Sequence, residues 1–190
     1  DAMVRSDIIY YSGITLAILA PEGRATLLGA LRKARAAGKT IAFDPNLRPK
    51  LWASDSEMTQ AIMQGAAVSD IVLPSYEDEA EWFNDTSPQA TAERYLVAGA
   101  MTVVVKNGVG PVSYADGEFR GDVAVTPVER PVDTTAAGDS FNVGFFARHA
   151  AGDNIVDAIA HACALSRAVV QRRGALVAVD PACLSRTTAT

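Results

Sequence analysis

Thr102-Val103-Val104-Val105-Lys106 has a continuous β-branched core. A strand without polar alternation is one buried on both faces, and such strands belong to parallel sheets covered by helices. The rest of the chain must therefore supply crossover helices, and its pattern does so. Ile8-Ile9-Tyr10-Tyr11 is a short apolar run closed by Ser12-Gly13, Thr40-Ile41-Ala42-Phe43 is closed by Asp44-Pro45-Asn46, and residues 70–73 are closed by Pro74-Ser75. Between them lie helical stretches. Residues 22–37 carry Leu27, Leu28 and Leu31 on one stripe, basic residues late and Gly38 as a stop, and further helices are expected over 56–68 and 90–98. A small β section at 112–114 and 119–125, with Asp116-Gly117 as its hairpin turn, and two helices over 138–149 and 154–170 complete the chain.

This alternation predicts a three-layer α/β/α sandwich with a mostly parallel sheet, read as one domain over residues 1–190. In such sheets ligands bind beyond the carboxyl ends of the strands. Here those ends are Ser12-Gly13, Asp44-Pro45-Asn46, Pro74-Ser75 and Lys106-Asn107-Gly108, polar or glycine-rich at every one, which points to a shared cleft.

Composition narrows the function classes. With 49% hydrophobic residues in 190, the chain can bury a sizeable core. A formal net charge of -5 argues against nucleic acid as partner, while leaving room for a local positive pocket. Cys163 and Cys183 make neither a disulfide framework nor a metal cluster, and a reducing cytoplasm is the expected compartment. No apolar run approaches the roughly 20 residues a membrane span needs.

The chemistry concentrates in Asp133-Thr134-Thr135-Ala136-Ala137-Gly138-Asp139-Ser140-Phe141, which runs into a predicted helix. Small side chains at Ala136, Ala137 and Gly138 let backbone N–H groups approach a ligand, and a helix N-terminus adds its positive dipole end. Phosphoryl transfer needs such an anion hole. Asp139 beside it is placed to accept the proton of an attacking hydroxyl. On the bland reading, Asp139 or Ser140 merely caps the helix and the small residues permit tight packing.

The full nine-residue string resembles the C-terminal signature of the ribokinase/PfkB sugar kinases. The resemblance implies that Asp139 is the catalytic base and that the Ala136, Ala137 and Gly138 backbone is the anion hole for ATP. Lys106-Asn107-Gly108-Val109-Gly110 resembles the family's strand-end glycine loop, which implies ATP contacts at Lys106, Gly108 and Gly110. Ser75 resembles the nucleotide-side loop position, and the acidic Glu77, Asp78 and Glu79 after it read equally as the solvated first turn of a helix. Arg172-Arg173-Gly174-Ala175 resembles the loop near adenine and a monovalent-cation site, so K⁺ joins ATP and Mg²⁺ as an implied cofactor. Cys163 falls where many relatives place Asn or His beside adenine, a departure from the pattern.

Two stretches resemble the 2-keto-3-deoxygluconate kinase branch: Ser12-Gly13-Ile14-Thr15-Leu16-Ala17-Ile18-Leu19 and Asp44-Pro45-Asn46-Leu47-Arg48-Pro49-Lys50-Leu51-Trp52. The resemblance implies that Arg48 meets a sugar-acid carboxylate, which a guanidinium fork matches bidentately, and that Asn46 contacts the nucleotide or the Mg-phosphate group. It further implies that the family's N-terminal strands, with their Gly-Gly substrate motif, and the β-clasp lid are missing from the chain, along with any homo-oligomer built through that lid. No carboxylate cluster marks a protein-held metal. Two rivals stand beside the sugar-acid kinase: a kinase of fructose, ribose or a nucleoside, and a non-catalytic nucleotide-binding fragment.

Overall fold

The computed structural model describes residues 5–179. Cys183 lies outside them. The described residues fall into two compact units, one running to Gly108 and including Ser113–Gly121, the other of Val109–Val112 and the chain from Asp122 onward.

The first unit is a β-α alternation: β1 (Ile8–Ser12), α1 (Gly13–Ala17), α2 (Pro21–Ala36), β2 (Thr40–Asp44), α3 (Asp55–Ala66), β3 (Ile71–Val72), α4 (Tyr76–Phe83), α5 (Pro88–Ala98) and β4 (Thr102–Val105). β5 (Val112–Asp116) and β6 (Phe119–Val123) extend the sheet, whose order is β1-β2-β3-β4-β5-β6. The first four strands pair in parallel and β5 runs antiparallel to β4. Sequential parallel order with right-handed crossovers puts the connecting helices on one face. That face holds the core: Leu28 and Leu31 of α2, Met58 and Ile62 of α3, and Tyr95 of α5 cluster with Ile41, Phe43, Val103 and Val105 of the strands. Val104, pointing the other way by strand alternation, is also fully buried, as its unbroken β-branched run requires.

Local signals set the helix ends. Ser54 and Ser87 accept the amides of Glu57 and Ala90 as N-caps of α3 and α5, and Gly38 takes the left-handed φ of 84° that stops α2. The hairpin joining β5 and β6 turns on Gly117-Glu118, one residue later than Asp116-Gly117. Gly117 has φ 57°, the conformation a primed hairpin turn needs at its first position. One helix is absent from the sequence expectation: α1 has only 5 residues, too few to display a period. α4 carries Glu77, Asp78 and Glu79 in its first turn, as the helix reading of that trio expected.

The second unit contains α6 (Ala137–His149) and α7 (Ile155–Val170), packed closely against each other. A Cβ on Gly144 would lie 2.8 Å from the Ala162 Cα, so glycine sets the helix separation. Ala136, Leu165 and Val169 form a small core against which Val177 and Val179 pack.

Candidate functional site

In the first unit the strand ends place their polar residues at one edge of the sheet. β1 and β2 stand in register, Ser12 opposite Asp44, and the chain after them is crowded: a Cβ on Gly13 would sit 1.8 Å from the Pro45 carbonyl oxygen. Only glycine fits at that position. Beyond β3 and β4 the strands are joined once more by a bridge between Ser75 and Lys106, with the Lys106 amide on the Pro74 oxygen at 2.9 Å and the Tyr76 amide on the Lys106 oxygen at 2.8 Å. The backbone thereby brings Ser75 and Lys106 together. The Lys106 ammonium lies 3.2 Å from Asp44 Oδ2, and this pair is largely buried. Taking such a pair out of water offsets most of its mutual attraction, so it adds little net stability.

Arg48 and Asn46 follow Asp44 on a turn of unusual backbone. Asn46 has φ 34° and Arg48 φ 47°, both left-handed, and Arg48 is exposed. Its charge reaches Asp78, in the first turn of α4. Burial lifts the Asp78 carboxyl above its ordinary range; Arg48 and Lys106 pull it down, while Glu77 and Asp44 push it up. Asp44, Arg48, Asp78 and Lys106 thus form one charged group, of which sequence reasoning singled out Arg48 and Lys106 alone. Its signal was the polar strand end, which does not say which side chains will meet. Gly108, with φ 56°, is exposed, and Gly110 belongs to the second unit.

Glu79 departs from the solvated reading of the acidic trio. It is fully buried, with its carboxylate accepting from Arg94 Nη2 at 2.6 Å and from the Tyr95 hydroxyl at 3.0 Å. Burial pushes its pKa up to about 7 against the opposing pull of Arg94. Arg94 also pairs with Asp85 at 2.6 Å and lies 3.8 Å over the Phe83 ring. This network ties α4 to α5 behind the charged group.

In the second unit Ala136 is the N-cap residue of α6, and no side chain caps the helix. Ser140 turns its hydroxyl to the Ala136 and Ala137 carbonyl oxygens, at 2.6 and 3.0 Å, so it does not cap. The Ala137 amide meets the Thr134 oxygen at 3.1 Å. Gly138 and Asp139 follow at helical positions whose amides an α-helix leaves without a carbonyl of its own. Asp139 stands exposed in this first turn, beside the positive end of the helix dipole.

The loop before α6 is held by Asp133. Its carboxylate accepts from the Thr135 amide at 2.9 Å, the Thr135 hydroxyl at 2.6 Å and the Gly174 amide at 3.0 Å, and these bonds, led by the Thr135 hydroxyl, hold its pKa down at about 2. Asp133 therefore joins the signature loop to the Arg172-Arg173-Gly174-Ala175 loop. Cys163 sits on α7, one turn before Ser166, whose hydroxyl donates to the Ala137 oxygen at 3.0 Å. Burial raises the Cys163 thiol to about 11, which keeps it protonated and unreactive. No group of three or more His, Cys, Asp or Glu among the described residues could hold a metal ion, and no described helix is long and apolar enough to cross a membrane.

Residues 1–182 match the family described as pfkB family carbohydrate kinase. The chain belongs to that family. It is 39% identical over 181 residues to the 2-dehydro-3-deoxygluconokinase of Escherichia coli strain K12, covering 93% of this chain and 58% of that protein. Against the fructokinase of Vibrio alginolyticus the identity is 29%, over 92% of this chain and 58% of that protein. Among solved structures it resembles a PfkB protein from Polaromonas sp. JS666 with a TM-score of 0.77 and 33% identity, covering 90% of this chain and 55% of that one. The fold is thus ribokinase-like α/β, and this PfkB chain spans a little over half the length of the relatives it matches.

Proposed function

We propose that this PfkB chain carries part of an ATP-dependent kinase of a sugar acid, with 2-keto-3-deoxygluconate as substrate and its 6-phosphate as product. The observation that carries the kinase reading is the α6 N-terminus, which no side chain caps, with small residues from its N-cap Ala136 to Gly138 and Asp139 exposed in its first turn. The sugar acid is supported by Arg48, an exposed guanidinium on the strand-end turn, and by similarity to 2-dehydro-3-deoxygluconokinases at 34–39% identity.

In this mechanism Arg48 binds the carboxylate and orients the acid. Asp139 accepts the proton of the primary hydroxyl as its oxygen attacks the γ-phosphorus. The bond from that phosphorus to the β–γ bridging oxygen breaks, and ADP leaves with the electron pair. Amides at the start of α6 stabilise charge on the phosphoryl oxygens. Asn46, Ser75, Lys106, Gly108, Gly110 and Cys163 are assigned to the nucleotide side. Without a carboxylate cage among the described residues, an Mg²⁺ ion would be held by phosphate oxygens and water. When bound it neutralises phosphate charge. A monovalent cation such as K⁺ is assigned to the loops joined by Asp133, whose carboxylate accepts from the Gly174 amide. We read residues 1–190 as one incomplete kinase domain acting on small molecules in the cytoplasm, with any homo-oligomer formed through the family's lid.

The test is ADP release with ATP and Mg²⁺, by this chain and by one extended upstream, with 2-keto-3-deoxygluconate, gluconate and fructose each offered beside an Asp139→Asn control. Preference for the keto-deoxy acid and silence of the control are expected. A preference for fructose would refute the sugar-acid assignment, and ATP binding without turnover in either chain would favour a nucleotide-binding module.

A further inference from the structure

We infer that Trp52 is the positioning residue of the Arg48 turn, an inference that rests on Arg48 binding the substrate carboxylate. Arg48 has φ 47° and ψ 68°, left-handed values that a side-chain-bearing residue keeps only when its surroundings impose them. The peptide plane between Leu47 and Arg48 sets that φ. Its carbonyl oxygen, on Leu47, accepts a 2.7 Å hydrogen bond from the Trp52 indole N–H. Leu47 itself is anchored in the core at 1% exposure, so the plane is held at both its side chain and its oxygen. On the far side Pro49 fixes the next residue, and the Leu51 amide returns to the Arg48 oxygen at 3.0 Å.

The indole is fixed in turn from two helices. The Arg24 guanidinium, on α2, lies 5.2 Å from the Trp52 ring centroid. Arg24 also pairs with Glu57 of α3 and donates from Nε to the Leu19 oxygen at 3.1 Å. The stack Glu57, Arg24, Trp52 and the Leu47 oxygen therefore carries the rigidity of α2 and α3 into the turn that aims Arg48. A peptide freed from the indole can rotate, Arg48 can relax to ordinary backbone angles, and its guanidinium then leaves the direction in which it meets the acid. Trp52 touches no reacting atom in this account. It acts through Arg48.

Steady-state kinetics on the full natural chain test this with Trp52→Phe, which keeps an aromatic ring and removes the N–H. The expected result is a rise of about tenfold in KM for the sugar acid, with kcat and the KM for ATP within about twofold of the parent. In an Arg48→Gln background the same substitution should change KM by less than about twofold, because residues that act through one contact are non-additive. An unchanged KM in Trp52→Phe beside a raised KM in Arg48→Gln overturns the positioning role alone, as does an undiminished Trp52→Phe effect in the Arg48→Gln background. An unchanged KM in Arg48→Gln overturns the carboxylate reading and this inference with it. Arg24→Gln carries the same test if Trp52→Phe does not fold: a smaller rise confined to the acid KM supports the inference, and additivity with Arg48→Gln overturns it.

Discussion

The two units carry candidate functional residues of different kinds. The first supplies side-chain charge gathered from separate strand ends, and its ion pair of Asp44 and Lys106 joins residues 62 positions apart. The second supplies backbone: one continuous stretch of small residues leading into α6, with Asp139 the one charged side chain in the first turn. A backbone site is damaged by what is added to it, and a side-chain site by what is removed. The contrast also assigns different kinetic roles, since the first unit would orient an acid and the second would move a proton.

The largest effect expected is on that division. Asp139→Asn should lower kcat by about 10²–10⁴-fold with little change in KM, the range a lost general base commonly costs. Arg48→Gln should do the reverse, raising KM for the sugar acid about tenfold while kcat stays near the parent value. Steady-state kinetics of both variants on the full natural chain check the pair. An Asp139→Asn effect confined to KM would break the comparison, because both units would then only bind.

The next effect concerns the support behind the first unit's charges. Removing Arg94 strands the fully buried Glu79, and Arg94→Leu should cost about 3–5 kcal/mol in denaturant unfolding, as losing one partner of a buried pair does. Its pH dependence has a definite sign. Burial raises the Glu79 pKa from its ordinary value to about 7, so the folded state favours the protonated form. Glu79 therefore costs least stability below about pH 4.5 and costs progressively more as pH rises towards 7. Without Arg94 that slope should steepen, and Glu79→Gln in the Arg94→Leu background should remove it. Persistence of the slope in the double variant would assign it to another group.

The same division governs how much was legible in the sequence. The second unit's helix start could be read directly, because the nine-residue string runs into it and a helix start is a local event. β2 and β4 were equally plain, since their apolar runs need no partner to be recognised. The first unit's charged group could be read only in part. That Lys106 would meet Asp44, and that the charge of Arg48 would reach Asp78, depends on the parallel order of β2, β3 and β4, which brings distant strand ends side by side. Glu79 looked solvated because its neighbours Glu77 and Asp78 are acidic too; only the packing of α4 on α5 turns it inward to Arg94 and Tyr95. The Trp52 bond to Leu47 was hidden for another reason. In the sequence Trp52 is only the end of a family-like stretch, and its N–H partner is a backbone oxygen that no sequence pattern marks.

Glycine substitutions sharpen the contrast at smaller cost. Gly13→Ala would place a methyl 1.8 Å from the Pro45 oxygen, and Gly144→Ala would place one 2.8 Å from the Ala162 Cα. Both meet backbone, which cannot swing aside. Each should destabilise by about 1–3 kcal/mol, the usual range for overpacking, with Gly13→Ala the larger. Thermal unfolding checks the order. Gly13→Ala should also raise the acid KM, because the displaced Pro45 leads directly to Asn46 and Arg48, whereas Gly144→Ala should leave KM alone.

The smallest effect belongs to Asp133, and it tests whether the second unit's backbone site is held in place by a side chain after all. Three hydrogen bonds to its ionised form hold its pKa at about 2, below the ordinary aspartate value. The sign is opposite to that of Glu79: the contribution is fully present above about pH 4 and is lost as pH falls through about 2. Because the carboxylate is open to solvent, the loss should register locally, as faster amide exchange at Thr135 and Gly174, with little change in global unfolding. Asp133→Asn should speed exchange at the same two amides already at pH 7 and flatten the acid dependence below pH 4. Unchanged exchange at Gly174 in that variant would mean that the two loops keep their relation without the carboxylate, and the second unit would then owe its anion-binding geometry to backbone alone.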